Sequence, residues 1–324
     1  MKTILLVPTE IGVGLTSACL GLIYALECQG VKAGFLKPFS QELQPEADRT
    51  TALYRHLFKH ETVEPISYTA LTERLKNDEN DELLEDAVRL HREISKHHDI
   101  IIVEGVLPNG RDPFATELNA NLAKALDAKV IIVSNADINN AVKTASKVDN
   151  QLRFFGGASG ERTAGVLFMR TKGLPEDSAQ IPVTLDPNLR LISDTNQFVS
   201  KIQTTHPMIG KDCMPVIGLV PFSNTLSVPR MSDLAAHISA EWINQGEAAQ
   251  RRVLHSSLIA SNIEHEMHKF VAGELIISGA DRVDVLLASS LASSNGIPLA
   301  GLVLTEQKAP SAAALEFCQA AMKN

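Results

Sequence analysis

Short runs rich in isoleucine and valine recur along this chain at Thr3–Val7, Val31–Leu36, Ile100–Val103, Val130–Val133, Gly165–Phe168 and Val216–Val220. No other feature narrows the possible folds as far. The runs are apolar at nearly every position instead of at alternate ones, so each strand must be covered on both faces, which is the condition of a parallel sheet. Between them, Leu15–Gln29 carries apolar residues at helical spacing, and Asp81–Lys96, Ala115–Leu126 and Asn139–Phe154 read as further amphipathic helices. Strand and helix in alternation predict a doubly wound α/β fold with a mostly parallel sheet.

The chain is 324 residues long, about twice a common domain, and 44% of it is apolar, enough for a sizeable core. After an irregular stretch from about Gly173 to Met214, rich in proline, a helix is predicted over Met231–Asn244 and a loop over Gln245–Gln250. The β/α rhythm then restarts with Arg252–Leu258, Gly273–Ile277, Val283–Ser293 and Leu299–Leu304. This restart predicts two domains, residues 1–245 and a second, smaller α/β domain over 246–324. The last helical pattern, Ser311–Met322, has no strand after it, so the second domain is expected to be truncated.

A formal charge of −8 gives no electrostatic reason to bind nucleic acid across a broad surface. The apolar run Ile4–Val7 is far too short for a signal sequence and no later run reaches membrane-spanning length, so a soluble cytoplasmic protein without a membrane partner is expected. Cys19, Cys28, Cys213 and Cys318 are scattered without a paired C-x-x-C spacing and read as reduced thiols. His265 and His268 lack a third ligand, and no serine sits in a nucleophile elbow, so neither a metal site nor a hydrolytic triad is predicted.

The segment Pro8-Thr9-Glu10-Ile11-Gly12-Val13-Gly14-Leu15-Thr16-Ser17 ends the first strand and opens the first helix. Backbone N–H groups and the helix dipole favour an anion at such a place. A working phosphate loop carries lysine after its last glycine and Ser or Thr next to hold magnesium; here Thr16 is kept and Leu15 stands for the lysine. A dinucleotide fingerprint fits less well, because Ser17 occupies the place of the third glycine. Gly12 and Gly14 serve equally well as a tight strand-to-helix turn with no ligand.

Thr9, Val13, Gly14 and Thr16, then Lys37-Pro38, Asp48 and Val103-Glu104-Gly105, fall in the order seen in dethiobiotin synthetase-like P-loop proteins, which the chain resembles. In that family the lysine of the Lys-Pro motif faces substrate, while an acid in the following loop and the Glu of the Glu-Gly motif help hold magnesium. The resemblance thus implies Lys37, Asp48 and Glu104 as site residues beside Thr9, Gly12, Gly14 and Thr16. From the residues alone, Lys37 also ends a strand, Asp48 suits a helix cap and Glu104 a turn.

With leucine in the lysine position, the loop is closer still to the N-terminal domain of long bacterial phosphate acetyltransferases. Arg251-Arg252-Val253, Phe270–Leu275, Gly279–Val285 and Gly301–Thr305 resemble the DRTGG domain that follows in that family, though Thr305-Glu306-Gln307 departs from its Thr-Gly-Gly. Asp281 and Arg282 are the matching regulatory candidates, equally readable as a cap and a surface charge.

The resemblance implies a regulatory and assembly region. Its acetyl-transferring C-terminal domain would lie outside this chain, and no residue here is expected to be catalytic. It implies as partners that catalytic domain, further copies of the same subunit and a small-molecule effector. No cofactor is expected beyond a weakly held nucleotide or anion. An ATP-dependent dethiobiotin synthetase-like enzyme is the alternative, against which Leu15 counts.

Overall fold

The computed structural model describes residues 2–43, 48–108, 114–158, 160–172, 199–200, 202–204, 209, 214–222, 228–305 and 310–319. Each predicted strand of the first domain is present: β1 (Lys2–Pro8), β2 (Ala33–Leu36), β3 (Ile100–Glu104), β4 (Lys129–Asp137), β5 (Thr163–Lys172) and β6 (Val216–Pro221). They form one sheet in the order β2-β3-β1-β4-β5-β6, parallel throughout. Burial on both faces explains the apolar runs of β1 to β5, whereas in β6 Ile217 and Val220 are exposed. Leu5, Val7, Leu36, Ile101, Val103 and Ile132 join one core cluster, and their neighbours Leu6, Phe35, Ile102, Ile131 and Val133 join another.

Helix α1 (Leu15–Cys28) covers the second cluster with Leu15, Ala18, Cys19, Leu20 and Ile23. Two helices that the apolar pattern does not announce follow β2, α2 (Arg49–Phe58) and α3 (Tyr68–Lys76). The opposite face is covered by α4 (Asn80–Ser95), α5 (Ala115–Ala125) and α6 (Ala141–Leu152), through Leu83, Ala87, Leu118, Leu122, Val148 and Leu152 among others. Most of the irregular stretch expected from about Gly173 to Met214 lies outside the described residues.

The chain divides into two compact units, 1–222 and 223–324. The division falls earlier than the expected boundary after residue 245. Its physical reason is α7 (Met231–His237), whose Met231 and Leu234 pack with Ala248, Leu275 and Ala300, while the Met231 N–H donates to the Arg251 carbonyl. The predicted helix Met231–Asn244 also stops early, at His237. Ser239 takes φ 52°, its N–H bonds the Ala236 carbonyl and the Ala240 N–H bonds the Ala235 carbonyl. That is a Schellman stop built without glycine, so the sequence carries no glycine to announce it.

The second unit continues with β7 (His255–Leu258), α8 (Ile263–Glu266), β8 (Glu274–Gly279), α9 (Val283–Ser294), β9 (Gly301–Thr305) and α10 (Ala312–Gln319). Its three strands are parallel in the order β7-β8-β9. Ile259, Phe270, Ile276, Val285 and Leu299 form its main apolar cluster. Glu306 and Gln307, where the sequence departs from Thr-Gly-Gly, lie outside the described residues. Also among the described residues, no helix is long and apolar enough to cross a membrane.

Candidate functional site

The parallel sheet puts the C-terminal ends of β1, β2 and β3 side by side, where open α/β sheets bind ligands. The register aligns Leu6 with Glu104 and Leu36 with Val103. Residues far apart in sequence therefore converge on the start of α1. There the loop turns on Gly12 (φ 77°) and Gly14 (φ 83°). A Cβ on Gly12 would meet nothing within 4 Å, so conformation is what asks for glycine there. Gly14 caps α1 with no side-chain bond, and the Ala18 N–H closes the first turn on its carbonyl at 2.9 Å.

Leu15, in the lysine position, points into the core: it is buried with Val13, Ala18, Cys19 and Met169. Thr9 donates its hydroxyl to Ser134 Oγ at 3.1 Å, Glu10 pairs with Lys147, and Arg170 Nη1 donates to the Gly12 carbonyl at 3.2 Å. The loop is thus fastened to β4, α6 and β5 in turn.

The other predicted residues form one buried cluster. Lys37 Nζ lies 2.7 Å from Asp48 Oδ2 and 3.9 Å from Glu104 Oε1, and these side chains are only 11%, 2% and 5% exposed. Thr16 and Thr50 each donate to Glu104 Oε1 at 3.4 Å, and Lys37 Nζ donates to Thr50 Oγ1 at 3.5 Å. Asp48 does two jobs. Its Oδ1 caps α2, accepting the Thr50 and Thr51 N–H groups at 3.1 Å; its Oδ2 accepts from Lys37 and, at 3.0 Å, from Ser40 Oγ. Asp48 is thus the cap of α2 and the ion-pair partner of Lys37 at once.

Electrostatics separates the two acids. Burial opposes ionisation of Asp48, yet the Lys37 ammonium, the Thr51 N–H and the Ser40 hydroxyl keep its pKa below the ordinary value. Glu104 is pushed up to about 7, first by burial and then by the charge of Asp48, with Lys37 and the two threonine hydroxyls opposing. Its second oxygen, Oε2, is buried with no hydrogen-bond partner among the described residues. Cys19 behind it is likewise raised, by burial first and by Glu104 second, and is an inert core thiol.

Magnesium, implied by the dethiobiotin synthetase resemblance, does not fit these residues as they stand. Among the described residues no group of three or more His, Cys, Asp or Glu side chains gathers to hold a metal. An ion bound to Glu104 Oε1 by a bond of about 2.1 Å would lie within about 6 Å of the Lys37 ammonium, given their 3.9 Å separation. The ammonium already faces both acids, 2.7 Å from Asp48 Oδ2 and 3.9 Å from Glu104 Oε1, where such an ion would have to sit.

Several contributors escape a reading of the sequence alone. Thr50 ties Thr16, Lys37 and Glu104 together; only its place two residues after a helix cap hints at it. Arg170 sits at φ 49° with its guanidinium 5.3 Å from the centre of the Phe222 ring, a conformation uncommon outside glycine and with no sequence signal. At Gly105 a Cβ would come 2.7 Å from the Leu6 carbonyl oxygen and 2.9 Å from Asn119 Oδ1. That glycine lets the backbone after Glu104 approach β1 closely, with Asn119 holding both polar backbone groups of Val106 at 2.8 Å.

In the second unit Asp281 is exposed, while Arg282 grips Asp284 through Nε at 2.9 Å and Nη2 at 2.7 Å. Arg282 Nη2 also donates to the Ser261 carbonyl at 2.9 Å. The guanidinium thereby staples the loop after β7 to the start of α9.

Comparison with known proteins fits this geometry. The AAA domain model (AAA_26) matches residues 2–230 and the DRTGG domain model residues 233–322. Phosphate acetyltransferase of Acinetobacter baylyi is 63% identical over 323 residues, covering 100% of this chain and 45% of the relative. Those of Pseudomonas aeruginosa and Escherichia coli are 33% and 31% identical, with 44% and 45% of their lengths covered. The chain thus spans less than half the length of the curated relatives it matches, corresponding to their N-terminal region. Among solved structures, the MinC:MinD cell division protein complex of Aquifex aeolicus covers 73% of this chain and 86% of its own at 13% identity and a TM-score of 0.39; a likeness so loose carries no argument, and the strand order stands on its own. With the glycine loop, its acidic partners and the second parallel unit in place, the chain belongs to the AAA domain family of the AAA_26 type, followed by a DRTGG domain.

Proposed function

We propose that this chain is the regulatory and assembly portion of a phosphate acetyltransferase, an acyltransferase of acetate metabolism working in the cytoplasm. The conversion of acetyl-CoA and phosphate to acetyl phosphate and CoA belongs, in this reading, to a C-terminal catalytic domain outside this chain. One observation carries the proposal: curated phosphate acetyltransferases match the chain along 100% of its length while it accounts for 44–45% of theirs. The site supports it from the chemical side. Its charges neutralise one another, and Leu15 is buried where a phosphate-binding lysine would stand.

The partners of such a region are its own catalytic domain, further copies of the subunit and a small-molecule effector. The glycine loop, with its helix N-terminus and no lysine, suits a small anion or a weakly held nucleotide and requires no cofactor. Against the alternative, an ATP-dependent enzyme of the dethiobiotin synthetase kind, stand the same two features, Leu15 in the core and Lys37 held by Asp48.

The test is an assay of acetyl phosphate formation by the purified chain, followed by its mixing with the remaining part of an acetyltransferase of this family. No turnover by the chain alone, and a larger assembly on mixing, are expected. Robust turnover by the chain itself would overturn the reading.

A further inference from the structure

Metal-dependent phosphate loops hold magnesium between the hydroxyl that follows the loop and a carboxylate from a neighbouring strand. Here those two groups are Thr16 and Glu104, with the Thr16 hydroxyl 3.4 Å from Glu104 Oε1. Around the Lys37 ammonium stand Asp48 Oδ2 at 2.7 Å, Thr50 Oγ1 at 3.5 Å and Glu104 Oε1 at 3.9 Å. Two carboxylates and a hydroxyl, all oxygen and nearly all buried, are the surroundings of a small hard cation. A lysine ammonium is a compact point charge with three donors; here it donates to Asp48 and Thr50 and stands within ion-pair distance of Glu104.

We propose that Lys37 is the resident cation of this cluster, covalently supplied, and that it excludes a divalent metal from the oxygens that would otherwise hold one. The cluster is a metal site occupied by a side chain. Removing the ammonium should open it to Mg2+ or Mn2+ on Asp48, Glu104 and the two threonines. The inference concerns the cation alone and stands whether or not the glycine loop takes an anion.

The experiment is a titration of Mn2+ against the wild-type chain, Lys37→Arg and Lys37→Met, with unbound Mn2+ read by electron paramagnetic resonance and melting temperature followed in parallel. Wild type and Lys37→Arg should leave Mn2+ free up to millimolar concentration. Lys37→Met should bind it at least about tenfold more tightly and melt at a higher temperature in its presence, and Glu104→Gln in the same background should abolish that gain. Tight Mn2+ binding by the wild type that is lost in Glu104→Gln, or a folded Lys37→Met without any gain, would overturn the proposal. If Lys37→Met does not fold unaided, the inference requires that Mn2+ restore its folding, and failure of that rescue overturns it too.

Discussion

Replacing Glu104 by glutamine turns the raised carboxyl into a direct reading of what the buried cluster costs the fold. The group has a pKa of about 7 in the folded chain against an ordinary 4.5. Between those values the folded state holds a proton that the unfolded state has lost, so stability falls as pH rises from about 4.5 to about 7 and is flat above. The whole shift is worth about 3 kcal/mol, of which about 2 kcal/mol falls between about pH 5.5 and about pH 8. Glutamine keeps one oxygen for the Thr16 and Thr50 hydroxyls and cannot ionise. Wild type should therefore lose about 2 kcal/mol relative to Glu104→Gln across that interval, other titrating groups cancelling in the difference. Denaturant unfolding at each pH measures it. Near-ultraviolet dichroism of Tyr24, Tyr54 and Tyr68 follows the first unit, and fluorescence of Trp242 follows the second. Parallel stability curves for the two proteins would refute the assignment of a raised, buried Glu104.

The unmodified chain is expected to bind magnesium-ATP weakly, because with Leu15 in place the loop lacks a lysine contact worth roughly 1.5–3 kcal/mol, or about one to two decades in affinity, and Leu15→Lys should restore part of it; calorimetry showing micromolar binding and hydrolysis by the unmodified chain would contradict this. Gly105→Ala should destabilise the first unit by about 1–3 kcal/mol, since its Cβ would be driven against the Leu6 carbonyl at 2.7 Å. A shift in the tyrosine-monitored midpoint with the tryptophan-monitored one unchanged is the expected signature.

How far the sequence foretells this molecule depends on what each element buries. Strands β1 to β5 were legible because a strand covered on both faces must be apolar almost throughout, as Leu5, Leu6 and Val7 show, and β6 is as apolar although Ile217 and Val220 are exposed. Helices α2 and α3 were not. Few of their residues are buried, Thr50, Thr51 and Tyr54 in the first and Leu71 in the second, so no apolar stripe marks them. In the site, Thr16, Lys37, Asp48 and Glu104 were recognisable by chemistry and order, and the strand register brings them together. Nothing in the sequence says that Lys37 would sit between the two acids, because that depends on where α2 begins. Arg170 was hidden for a similar reason: its contact with Gly12 comes from a left-handed backbone at the end of β5.

Asp48 is also a mechanical element. One of its oxygens clasps the opening turn of α2 and the other clasps Lys37 at the end of β2. A single rigid carboxylate is thus the axle on which a helix and a strand end both turn. Pulling the ammonium aside leaves a charged group still bolted to the helix, and lifting the helix drags the acid away from the ammonium. The start of α2 and the charge cluster accordingly have no independent positions: a disturbance at either is felt at the other across one side chain, without any relay through the core.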